Sequence, residues 1–187
     1  MRKVLLILTT AIMTVFSASA QSGGKVLILL GHPNFGQSKA NKAMIDSVRS
    51  LDGVRIMDVY AEEFSLENYK EPFEQASVVV LQFPFYWASA PSEIKRWLDE
   101  VFFQLGDVRA GKKLLVATTT ISEYEAYRSG GRNGFTMDEL LRPYQITAKV
   151  AQMEWLTPFA LHSAGDDDSV KAGAARYGAL IESLVKQ

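Results

Sequence analysis

Val26-Leu27-Ile28-Leu29-Leu30-Gly31-His32-Pro33-Asn34-Phe35-Gly36-Gln37-Ser38 is the stretch that decides the architecture. Its first five residues are apolar without alternation, which marks a strand buried on both faces, as in a parallel sheet covered by helices. Gly31 to Gly36 is a run of chain breakers and reads as a loop. Ser38 then stands where a helix cap belongs, ahead of Ala40, Met44, Ile45 and Val48 on one side of a helix. Strand, loop and helix follow each other in the order that builds α/β sheets.

The same alternation continues outward. Asp52-Gly53 turns the chain into a second strand, Val54 to Val59, and Tyr60 to Glu74 reads as an acidic, aromatic connection with a short helix. Ser77 to Phe83 is a third buried strand, ended by Pro84. Ile94, Trp97, Leu98, Val101 and Phe102 recur at helical spacing. Lys113 to Thr118 is a fourth strand, and Thr119 to Asn133 a polar, glycine-bearing loop. Asp138 to Met153 reads as helix, with Pro143 distorting its first turns. Trp155 to Leu161 is a fifth strand, at the edge or flanked by Pro158, and Val170, Ala174, Tyr177, Ile181 and Leu184 mark a last helix. Five strands alternating with helices predict a three-layer α/β sandwich: a five-stranded parallel sheet with helices on both faces. In such sheets ligands bind beyond the carboxyl ends of the strands, where strand order reverses. The loops after the first, third and fourth strands are therefore the places for chemistry.

Composition narrows the function classes. The 187 residues suit one domain, with 48% hydrophobic and 22% charged residues. A formal net charge of −1 gives no sign of a nucleic-acid or anionic-membrane partner. Cysteine is absent, which excludes disulfides, thiol catalysis and thiolate metal sites. There are only two histidines, His32 and His162, and no Gly-x-Ser-x-Gly elbow, which argues against a zinc enzyme or a hydrolase. At the start of the chain, Arg2-Lys3, an apolar run from Val4 to Phe16 and Ala18-Ser19-Ala20 have the anatomy of a secretory signal peptide. The reading is residues 1–20 as signal and 21–187 as the domain, a periplasmic or secreted location, and no stable membrane insertion after cleavage.

The three loops carry distinct chemistry. In the first, Ser38 and Asn41 lie one helical turn apart at a helix start, where unpaired amides and the helix dipole favour an anion. Alone, this loop reads first as an ordinary capped helix. In the second, Phe85-Tyr86-Trp87 stands between Pro84 and Pro91. Aromatics grouped on a loop can stack on a planar ligand. In the third, Thr118-Thr119-Thr120 can donate to a ring or a phosphate, or can simply reflect β-propensity. Tyr127 can donate a proton to a reacting oxygen, or pack as a half-buried tyrosine. Asp166-Asp167-Asp168 after His162 reads as a turn and cap for the last helix rather than a cation site.

Together these residues resemble a known family. Gly31-His32-Pro33 with Ser38-x-x-Asn41 resembles the first flavin loop of the flavodoxin-like NAD(P)H:quinone reductases. Gln82-Phe83-Pro84-Phe85-Tyr86-Trp87, followed by Pro91, Lys95 and Trp97, resembles their second loop and the helix after it. Thr119-Thr120 with Tyr127 matches the spacing of their third loop. Tyr127-Arg128 through Phe135 and Glu139 to Pro143 resemble the branch associated with bacterial potassium-efflux systems. The resemblance spans nearly all of Lys25 to Leu184. It implies a flavodoxin-like sandwich holding FMN, or else FAD, which passes a hydride from NAD(P)H to a quinone-like acceptor, in a homodimer. It assigns His32, Ser38 and Asn41 to the phosphate side of the flavin. Pro84, Phe85, Tyr86 and Trp87 border the ring, Thr119 and Thr120 bond its edge, and Tyr127 stabilises charge beside it.

The chain departs from that pattern in two places. The family's Thr-Thr-Gly-Gly is Thr119-Thr120-Ile121-Ser122 here, and Phe103 to Lys112 is shorter than in typical members. Those departures motivate an alternative, a flavodoxin-like binding protein with weakened or lost flavin binding and no catalysis. The architecture also makes a geometric expectation: Tyr86 and Trp87 should lie beside Thr119 and Thr120 at the carboxyl end of the sheet.

Overall fold

The computed structural model describes residues 25–187, so the signal-peptide reading of residues 1–20 lies outside the described residues. Strands β1 (Val26–Leu30), β2 (Val54–Asp58), β3 (Val78–Pro84), β4 (Lys113–Thr119), β5 (Glu154–Trp155) and β6 (Phe159–Leu161) form one sheet. Its order is β2-β1-β3-β4-β5, with β6 also paired to β4, and every pairing is parallel. The expected fifth strand is thus two short pieces. Pro158 lies in the gap, where its missing N–H cannot feed the ladder.

Six helices cover the sheet: α1 (Lys39–Asp46), α2 (Leu66–Gln75), α3 (Ser92–Glu100), α4 (Met137–Leu140), α5 (Arg142–Val150) and α6 (Asp167–Val185). The pleat sends alternate residues to opposite faces, and the core divides accordingly. Val26, Ile28 and Leu30 pack with Met44 of α1 and with Tyr177 and Ile181 of α6. Leu27 and Leu29 pack on the other face with Tyr69 and Phe73 of α2, Ile94 and Trp97 of α3 and Ala148 of α5. This is the expected flavodoxin-like three-layer sandwich. The single helix expected over 138–153 is instead α4 followed by α5. Thr136 and Glu139 form a capping box on the first, and Pro143 sits in the opening turn of the second, where its missing N–H costs nothing. Asp166 accepts the Ser169 N–H at 2.8 Å and caps α6, as the acidic run suggested.

Gly31, directly after β1, packs tightly against Ile94 of α3. A Cβ there would stand 2.4 Å from Ile94 Cγ1. Glycine therefore lets α3 close over the strand ends and brings the loop that precedes it, residues 85–91, next to the first loop. Among the described residues, no helix is long and apolar enough to cross a membrane.

Candidate functional site

The strand order reverses between β1 and β3, so their crossovers leave in opposite directions and open a crevice at the carboxyl ends of the strands. A cleft of about 540 Å³ lies there, within the roughly 300–1,000 Å³ usual for small-molecule sites. His32, Ser38 and Asn41 reach it from the first loop, Pro84, Phe85 and Tyr86 from the second, and Thr119 and Tyr127 from the third. Eight of the ten residues singled out in the sequence line one cavity.

The first loop forms its polar end. Ser38 Oγ accepts the Asn41 N–H at 3.3 Å and so caps α1. The amides of Lys39 and Ala40, in the first turn, have no intrahelical acceptor, and both residues line the cleft. The Ser38 hydroxyl proton remains available beside them. His32 is buried, and its Nδ1 accepts the Asn34 N–H at 3.1 Å, which leaves Nε2 to carry the ring proton. Burial lowers the His32 pKa, so the ring is a neutral donor rather than a cation. Asn41, expected beside Ser38 on the phosphate side, turns inward instead. It is 1% exposed, and its carboxamide donates to Thr119 Oγ1 at 3.0 Å.

The second loop forms a flat wall. Phe85 N–H donates to the Thr119 carbonyl at 2.9 Å, which ties this loop to the end of β4. The expected neighbourhood of the aromatic loop and the threonines is therefore present. Tyr86 stands edge-on to His32 at 6.2 Å, and Phe85 edge-on to Tyr127 at 6.1 Å. Trp87 departs from expectation. Tyr86 and Ser89 exchange both backbone hydrogen bonds at 2.9 Å, and Trp87 and Ala88 between them take φ of 51° and 61°. That is a tight primed turn, which swings the indole away from the cleft and leaves it 99% exposed.

The third loop supplies the remaining edge. Consecutive residues at a strand end point to opposite sides, so Thr119 faces the cleft and Thr120 faces away from it. Thr120 Oγ1 donates to the Ser122 carbonyl at 2.8 Å and lies 2.9 Å from His162 Nδ1. With its one proton used, Thr120 must accept from His162. The His162 ring in turn packs on Tyr127 at 5.5 Å. His162, a minor candidate in the sequence, thus supports Tyr127 from behind. Ile121, where the resembling family has glycine, lines the cleft with its side chain 80% exposed and does not fill it.

A larger hollow of about 960 Å³ lies on the far side of Tyr127. It mixes Glu123, Glu125, Asp138 and Asp168 with Arg128 and Arg176. The loops after β4 and β6 line it, but neither the first nor the second loop reaches it, so we take the first cleft as the site. Among the described residues, no group of three His, Cys, Asp or Glu side chains is placed to hold a metal ion.

Comparison with known proteins agrees with this geometry. A family model described as flavodoxin-like fold (Flavodoxin_2) matches residues 24–181. The chain is 32% identical over 171 residues to KefG of Pectobacterium atrosepticum, an ancillary protein of the glutathione-regulated potassium-efflux system; the match covers 85% of this chain and 93% of KefG. Among solved structures, general stress protein 14 of Treponema denticola in complex with FMN superposes with a TM-score of 0.79 at 31% identity, covering 86% of this chain and 99% of that one. An NADPH-quinone reductase from P. pentosaceus superposes with a TM-score of 0.76 at 26% identity, covering 83% and 96%. These relatives correct one expectation. The likeness to KefG, an ancillary protein of a potassium-efflux system, and to general stress protein 14 speaks against an exported protein, so the periplasmic or secreted location read from residues 1–20 is withdrawn. By the extent of the family match and the identity to its relatives, the chain belongs to the Flavodoxin_2 family of flavodoxin-like proteins.

Proposed function

We propose that this protein is an FMN-dependent NAD(P)H oxidoreductase that delivers a hydride to a quinone or similar acceptor. The observation that carries the reading is the convergence of three strand-end loops on one cleft with the donor set that FMN requires. The capped start of α1, with Ser38 and the amides of Lys39 and Ala40, suits a phosphate. Pro84, Phe85 and Tyr86 give a wall for a flat ring, and Thr119 offers a polar contact at its edge. The relatives support the choice of FMN over FAD, since general stress protein 14 of T. denticola is described in complex with FMN. The quinone reductase from P. pentosaceus supports the reaction class.

The flavin, when bound, supplies the hydride chemistry; the protein supplies position and hydrogen bonds. Tyr127, held between Phe85 and His162, lines the cleft, where its hydroxyl would donate to an oxygen gaining negative charge. His32 stays neutral and donates through Nε2. Exposed apolar side chains near the mouth, Trp87 and Ile121, support pairing with a second copy as a homodimer. The test is turnover: protein loaded with FMN should oxidise NAD(P)H only when a quinone is present or far faster with it, and Tyr127→Phe should slow the reaction. Loaded protein that leaves NAD(P)H untouched with every quinone tried would end this reading.

A further inference from the structure

Gln82 interrupts an otherwise apolar strand. It is completely buried within β3, Val78-Val79-Val80-Leu81-Gln82-Phe83-Pro84, directly beneath the cleft. Its Nε2 lies 3.3 Å from the Asn41 carbonyl and 3.3 Å from Asn41 Oδ1. Its Oε1 has no partner. A buried carbonyl oxygen left without a donor is costly, so this side chain is held here for what its amide gives.

The hydrogen bonds fix their own directions. A backbone carbonyl can only accept, so the Gln82 atom facing the Asn41 carbonyl must be the amide nitrogen. That nitrogen also faces the Asn41 side chain, so the Asn41 atom beside it must be Oδ1. Asn41 Nδ2 is then forced toward Thr119 Oγ1, 3.0 Å away, and Thr119 accepts. A hydroxyl has one proton, and with its oxygen engaged by Asn41 the Thr119 proton is turned to the cleft that Thr119 lines. Thr118 and Thr120, in contrast, spend their protons on the carbonyls of Phe83 and Ser122.

We infer that Gln82 is a positioning residue: through Asn41 it sets Thr119 as a hydrogen-bond donor, so that this edge of the cleft takes an acceptor atom of its ligand. Gln82 touches no ligand itself, and Asn41, which borders the cleft, acts here through Thr119. The inference rests on the flavin reading only for its choice of ligand, FMN, whose ring carries acceptor atoms.

The test is a double-mutant cycle with a second readout that needs no flavin. Thr119→Val should weaken FMN binding about tenfold, the worth of one hydrogen bond, and Gln82→Met, which keeps the volume, by about three- to tenfold. Thr119→Ser should restore binding. The double variant Gln82→Met/Thr119→Val should bind no more weakly than Thr119→Val alone, because the effect of Gln82 passes through Thr119. In flavin-free protein, the Asn41 side-chain amide protons, assigned by their loss in Asn41→Asp, should exchange slowly in the wild type and faster in Gln82→Met. Additive losses in the cycle, or Asn41 exchange indifferent to Gln82→Met, would overturn the inference. Absence of FMN binding to the wild type would instead sink the flavin reading, and the exchange measurement would then decide the relay alone. Gln82→Met removes one buried unpaired oxygen but leaves Asn41 Oδ1 without its donor; the two changes offset, so thermal unfolding should show the variant folded, with a Tm close to that of the wild type.

Discussion

Ser38 does two jobs that a pair of substitutions can separate. Its Oγ accepts the Asn41 N–H at 3.3 Å and caps α1, and its hydroxyl proton is free to donate to the proposed phosphate in the cleft that Ser38 lines. Ser38→Ala loses both. Loss of a serine cap costs about 1 kcal/mol, which in a domain of this size lowers Tm by roughly 2–4 °C. Loss of a hydrogen bond to a charged group costs about 1.5–3 kcal/mol, or roughly a ten- to hundredfold rise in Kd. That second loss should fall on FMN and spare riboflavin, which has the same ring and no phosphate. Ser38→Asp makes the distinction sharper. Aspartate caps as well as serine and suits the positive end of the helix, so Tm should hold, yet its charge repels a phosphate, so FMN affinity should fall below that of Ser38→Ala. Fluorescence titration with both flavins, alongside thermal unfolding, reads all of these quantities. If Ser38→Asp binds FMN as well as the wild type, or if the two flavins lose affinity equally, the phosphate does not sit at the start of α1.

Other outcomes follow from the same geometry. Ile121→Gly should tighten FMN binding, by up to roughly tenfold if the exposed side chain now holds the third loop one contact away from the ring; weaker binding in that variant would mean Ile121 itself makes a useful contact. Gly31→Ala sets a methyl 2.4 Å from Ile94 Cγ1, an overpacking that costs about 1–3 kcal/mol, and Tm should drop by roughly 2–10 °C. Adding Ile94→Ala should cost less in that background than in the wild type, and simple additivity would contradict the contact. Burial lowers the pKa of both His32 and His162 below the ordinary 6.5. The unfolded chain therefore binds more protons than the folded one just below that pH. Stability should rise with pH up to about 6.5, flatten above it, and rise less steeply in His32→Gln; denaturant midpoints measured across pH 5 to 8 check the slope.

The layers and the place of the site were legible because they depend on pattern. Val26 to Leu30 is apolar throughout because both faces of β1 are covered, and that run is visible in any reading of the chain. What the sequence hid is the direction of single side chains. Thr119 and Thr120 look equivalent in a row of threonines, yet the pleat of β4 sends them to opposite sides, and knowing that the strand runs through Thr119 would have separated them. Trp87 sits in a turn with positive φ that neither tryptophan nor alanine advertises, since glycine and asparagine are the usual residues there. Asn41 points inward because of Gln82, a partner 41 positions away that no local pattern links to it. The lone polar residue inside an apolar strand was the available signal. Pro158 did announce the break in the last strand, since a residue without an N–H cannot continue a parallel ladder.

The decisive measurement is a titration of flavin-free protein with FMN, followed by flavin fluorescence. A flavin-binding oxidoreductase should give a saturable change at stoichiometric FMN, with a Kd far below millimolar and with Thr119 and Ser38 variants shifted to weaker binding. No saturable change up to about 1 mM FMN, where the binding free energy is only about −4 kcal/mol, would contradict it and leave a flavodoxin-like protein without its flavin.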